Sequence, residues 1–92
     1  MARTSRATPN EGGAGEWPTV TREDPIQEVA RQFVVNVRHA MGDASIRSTA
    51  ARADIDHNTL RKVLAGEAWP DMIVIAKLER SFHKNLWPGL IE

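Results

Sequence analysis

The sequence predicts an all-α domain of four to five short, compactly packed helices, and three observations predict it. Apolar residues recur at helical spacing in four separate stretches. Asp24, Asp56 and Asp71 stand where helices should begin, and Gly42 and Gly66 where they should end. No stretch carries the alternation that a half-buried strand would show.

Residues 1–23 contain Pro9, Gly12, Gly13, Gly15 and Pro18 with hardly any apolar periodicity, so they read as a flexible arm dispensable for folding. Trp17 is its one large apolar group, available to dock on the domain or on a partner, and Arg3 and Arg6 offer the basic side chains with which arms in other families reach a minor groove, a passive tail being the favoured reading. The domain proper, 24–92, opens with Asp24 as N-cap, Pro25 at the first helical position and Gln27 in capping-box position. The first helix runs to about Met41, with Ile26, Val29, Ala30, Phe33, Val37 and Met41 lining the core. A second, Ile46 to Ala53, turns Ile46, Thr49, Ala50 and Ala53 inward and leaves Arg47, Ser48, Ala51 and Arg52 outside. Asp54 sits at a sharp turn where Asp tolerates a left-handed backbone. Asp56 caps a third helix over 57–65, and Gly66 stops it.

After Asp71 a fourth helix faces Met72, Ile75, Leu78 and Phe82 inward, and Leu86 with Trp87 form a short fifth turn. Met72 to Ile75 are four consecutive apolar residues, which one helix face cannot bury. Ile73 and Val74, near Leu90 and Ile91, therefore form a candidate self-association patch.

In the third helix His57, Asn58, Arg61 and Lys62 share one side, and Leu60, Val63 and Leu64 the other. A helix that is apolar beneath and carries His, Asn, Arg and Lys above is shaped for a major groove, where guanine offers acceptors and adenine a donor–acceptor pair. Ala50, with only a methyl group, lets this helix cross closely over the second.

The stretch SIRSTAARADIDHNTLRKVLAG, followed by a Trp-Pro linker and DMIVIAKLERSF, resembles the phage-repressor-type (XRE-like, lambda-repressor-like) helix-turn-helix family over about residues 25–89. The family's small Ala, turn residue, following apolar residue and closing Gly correspond to Ala50, Asp54, Ile55 and Gly66. Asp replaces the usual turn Gly, and Thr49 stands where Leu is commoner, which predicts a slightly less stable turn. The GEAWPD linker and the NLWPG ending are similar to a small subgroup of such regulators. The resemblance implies a transcriptional regulator, most simply a repressor, that binds double-stranded DNA as a homodimer reading two half-sites. It assigns His57, Asn58, Thr59, Arg61 and Lys62 to the groove and Ser45 and Arg47 to phosphate, with no cofactor.

Composition bounds the alternatives. Ninety-two residues allow one domain with a modest core. The absence of cysteine removes disulfides and thiolate metal sites. No apolar run reaches a membrane span, and the start lacks the apolar segment of a secretory signal, so a cytoplasmic protein is expected, nucleoid-associated when on DNA. His39, His57 and His83 lack metal-site spacing, and no phosphate loop or coherent nucleophile grouping appears, so neither metal nor enzymatic activity is expected. The 12 basic and 12 acidic residues cancel overall, but Arg47, Arg52, Arg61 and Lys62 against Asp54 and Asp56 give 45–65 a local net of +2. Two rival readings stay open: a helix-turn-helix scaffold that binds a protein partner through the arm, as an antitoxin does, and an architectural or recombination accessory protein.

Overall fold

Four helices follow one another in the computed structural model, which describes residues 7–11 and 16–91: α1 (Pro25–Met41), α2 (Ile46–Ala53), α3 (His57–Leu64) and α4 (Met72–Phe82). No strand occurs among the described residues, and no helix there is long and apolar enough to cross a membrane. Each helix starts on a side-chain cap that takes up a free N–H of its first turn. Asp24 accepts from Ile26 N, Ser45 from Ser48 N, Asp56 from Thr59 N and Asp71 from Val74 N.

Phe33, Val34 and Val37 of α1 meet Ala50 and Ala53 of α2, Leu60, Val63 and Leu64 of α3, and Val74 and Leu78 of α4 in one cluster. Two sequence-derived inward assignments fail. Ile26 is half exposed because it belongs to the first turn of α1, beyond the reach of the other helices, while Val34 takes the core position. In α4 the fully buried Leu78 fixes the helix rotation. At about 100° per residue that brings Val74 inward and throws Met72 and Ile73 onto the flanks. Val74 is accordingly buried, whereas Met72 is 85 % and Ile73 65 % exposed.

The expected fifth turn is not helical. Pro88 disfavours helical backbone at Trp87, and residues 85–91 run as irregular chain. Side chains of the preceding helices hold this segment instead. One Glu79 carboxylate oxygen accepts from Leu86 N at 2.8 Å and Trp87 N at 2.9 Å, and these backbone donors hold the Glu79 carboxyl below its ordinary range. Asn36 Nδ2 donates to Leu86 O at 2.8 Å. Leu86 is thereby buried, and Trp87 tilts against Phe33 with ring centroids 5.6 Å apart.

The largest correction concerns the arm expected over 1–23. Residues 1–6 and 12–15, with the minor-groove assignment of Arg3 and Arg6, lie outside the described residues. The described parts, 7–11 and 16–23, form a strap packed on the domain. Gln27, rather than closing a capping box, donates both amide hydrogens to the strap, at Thr8 O (3.0 Å) and Glu11 O (2.9 Å). Glu28 accepts from Arg22 N at 2.8 Å, from Arg31 Nε and Nη2 at 2.8 and 2.7 Å, and from Gln32 Nε2 at 3.0 Å. Arg31 Nη1 donates onward to Pro18 O at 3.0 Å. The buried Arg22 guanidinium stands 5.5 Å from the centroid of the Trp17 ring, whose electron-rich face partly compensates a charge whose Nε and Nη1 find no partner among the described residues.

The bidentate Arg31 hydrogen bonds, more than any other cause, lower the Glu28 pKa from 4.5 to about 2. A carboxylate with a depressed folded pKa contributes stability that is present above its unfolded value and lost as pH falls toward the folded one. The displacement corresponds to about 3 kcal/mol. Thermal unfolding of Glu28→Gln should therefore show a lower Tm than wild type at pH 7 and a difference that shrinks between pH 4.5 and 2. A difference independent of pH would mean that the charge of Glu28 adds nothing to stability.

Candidate nucleic-acid interface

The α2–α3 unit forms because local chemistry fits its bends. Asp54 adopts φ 60°, ψ 49°, the left-handed conformation that ends α2. Its N–H reaches Ala51 O at 3.3 Å and Ile55 N reaches Ala50 O at 2.9 Å, the paired bonds of a Schellman closure. Lys77 of α4 steadies the bend through Asp54 O at 2.7 Å; its contact to the exposed Asp54 carboxylate is looser, at 3.4 Å. Two residues later Asp56 begins α3.

Leu60, Val63 and Leu64 are each exposed by 2 % or less. Helical rotation then puts Asn58 and Lys62 at the middle of the outward face, with Thr59 and Arg61 on either flank, and all four are exposed. The Thr59 hydroxyl is turned back toward Asp56 Oδ2, at 3.5 Å. Ser45 and Arg47, at the start of α2, are exposed as well, with Ser45 Oγ engaged in capping.

His57 departs from the expected grouping. It rotates toward the Leu64 side, is only partly exposed, and lines an open cavity of about 440 Å³ with Arg47, Ala50, Ala51, Ile55 and Asp56. Arg52, counted in the local positive charge, faces elsewhere. It borders a second open cavity of about 810 Å³, shared with Lys77, Arg80 and His83. The outward face of α3 therefore owes its positive charge to Arg61 and Lys62, with Arg47 alongside.

The far end of α3 reveals contacts that sequence reasoning missed. Its last carbonyls would be without partners at a bare helix terminus. Ala65 N, Glu67 N and Gly66 N take those of Arg61, Lys62 and Val63. The strap takes the next three. Trp17 Nε1 donates to Leu64 O at 2.9 Å, Asn10 Nδ2 to Ala65 O at 3.1 Å and Asn10 N to Gly66 O at 3.0 Å. Trp69, just beyond, donates to Ala7 O at 2.9 Å. The only advance signal was an isolated Trp in a segment otherwise poor in apolar residues.

Compared with known proteins, the chain matches no protein-family model and no curated protein at a significant level.

Gly66 carries two constraints at once. Its φ is +76°, and a Cβ there would lie 2.7 Å from the Trp17 ring and 2.8 Å from Asn10 Cβ. Gly66→Ala should lower stability by about 2–3 kcal/mol, combining left-handed strain with overpacking. In a Trp17→Ala background the same change should cost about 1 kcal/mol less, because the ring contact is gone while the left-handed strain and the Asn10 contact remain. Chemical denaturation of the four-member cycle measures both, and strict additivity would show that the Trp17 ring does not press on Gly66.

Proposed function

We propose that this chain is a sequence-specific DNA-binding transcriptional regulator of the phage-repressor type, acting as a repressor without enzymatic activity or cofactor. One observation carries the reading. α3 exposes Asn58, Thr59, Arg61 and Lys62 on the side opposite three buried aliphatic residues, so a polar, basic ridge stands clear of the domain. Its eight residues make a ridge about 12 Å long, comparable with the width of a major groove.

In this reading Asn58 pairs bidentately with adenine, while Arg61 or Lys62 bonds guanine O6 and N7 and the Thr59 methyl meets a thymine methyl. Ser45 and Arg47 hold phosphate beside the N-terminus of α2. His57, drawn toward the cavity beside Arg47, serves the edge of the contact. A protein partner gripping a free arm has less to support it, because the described strap is already committed to the domain.

The same reading takes the protein as a homodimer, since one short helix reads too few base pairs for an operator. Val74, buried, is unsuited to an interface. Met72, Ile73, Trp87 and Leu90 are the large exposed apolar side chains of the α4 and C-terminal region, and Met72 and Trp87 border an open cavity of about 500 Å³ with Pro70, Ile75, Ala76 and Glu79. That surface is where a second copy is expected to meet the first.

Two experiments test the reading. With a duplex selected from a randomised pool, Asn58→Ala should cost about 1–3 kcal/mol and relax preference at one or two base pairs. Arg47→Ala should weaken selected and scrambled duplexes alike and reduce the salt slope by about one unit. Equal behaviour of wild type and both variants in direct titrations, with the fold intact by circular dichroism, would remove α3 and α2 from DNA contact. In sedimentation, Ile73→Glu should shift the protein toward monomer without lowering its Tm; an unchanged dimer would place the interface away from α4.

A further inference from the structure

We infer that the strap positions α3, with Asn10 and Trp17 as the residues that set where its polar face stands. This inference rests on the proposed reading for its consequence at DNA, but not for its structural content. α3 has two turns, is joined to α2 by a tight bend and enters a loop at Gly66. The bend fixes its first turn. At its last turn the carbonyls of Leu64, Ala65 and Gly66 all point to donors on the strap.

The strap is itself anchored on α1. Glu28 and Arg31 grip Arg22 N and Pro18 O, and Gln27 grips Thr8 O and Glu11 O, all from the first two turns of α1. Force applied to α3 is therefore carried through Trp17 and Asn10 into the long helix. The Trp17 ring also seats directly against Gly66, leaving the end of α3 no room to slide toward the strap. A helix that reads base edges tolerates only about 0.5 Å of misplacement, so residues outside the α2–α3 unit enter its selectivity without touching DNA.

The test uses the full chain. Trp17→Phe deletes the indole donor while keeping a ring, and Asn10→Asp deletes the amide donor at nearly constant size. Val34→Ala, a core change in α1, serves as a control adjusted by temperature to equal residual stability. Hydrogen exchange should quicken selectively at Ala65, Gly66 and Glu67 in the strap variants and uniformly in the control. Affinity for a selected duplex should fall about tenfold in the strap variants, with a scrambled duplex affected less than twofold and the salt slope unchanged.

The positioning role is overturned if exchange at the end of α3 stays at the wild-type rate, if the matched control loses selected-duplex affinity equally, or if the strap variants exchange faster yet bind selectively as before. Should wild type prefer no duplex, the DNA reading fails by itself. Selective exchange at Ala65 to Glu67 would then still support the strap's hold on α3.

Discussion

Two turns of helix do not persist in water unaided, because the entropy of nucleating a helix is recovered only over a dozen or more residues. α3 has eight, so its existence depends on the burial of Leu60, Val63 and Leu64 against the core. Three apolar residues facing one way also oblige Asn58, Thr59, Arg61 and Lys62 to face the other. The burial that creates the helix thus creates the candidate interface. What burial alone leaves loose is the end of the helix, and there hydrogen bonds from the strap complete the constraint.

The parts legible in sequence were those governed by neighbours a few residues away. Asp24, Asp56 and Asp71 marked helix starts through side-chain bonds to N–H groups two or three residues on, and Asp54 marked the left-handed bend. The readings that went astray depended on distant groups. Met72 to Ile75 are all apolar, so their own pattern does not show which faces inward; the burial of Leu78 against the core sets that rotation. Leu86 stood out as apolar, yet its irregular backbone is fixed by Glu79 and Asn36, polar side chains whose purpose emerges only when the chain closes.

The strap was illegible for a related reason. Its Pro-bearing sequence carries too few apolar residues to support a core of its own. It is ordered by donors and acceptors spread over α1 and the end of α3, with single residues doing what an apolar stripe does elsewhere. Gln27 shows the ambiguity well: its position after Asp24 suited a local cap, yet its amide bonds two carbonyls of the strap. Within the candidate interface the same limit displaced His57, whose half-buried place beside Arg47 and Ile55 follows from how α2 and α3 cross.

The bond from Trp17 to Leu64 spans 47 residues, and that from Asn10 to Ala65 spans 55. During synthesis the chain emerges from its N-terminal end, so Asn10 and Trp17 leave the ribosome long before the carbonyls they will meet exist. Until residue 66 has cleared the exit tunnel, this segment has no site to occupy on α3 and its Trp remains open to solvent or to chaperones. Non-local contacts of this kind close late because loop entropy is spent before they form. A ribosome stalled early would thus present α1 and the N-terminal segment without the end of α3 that Asn10 and Trp17 meet, and the order of translation becomes part of how the mature geometry is reached.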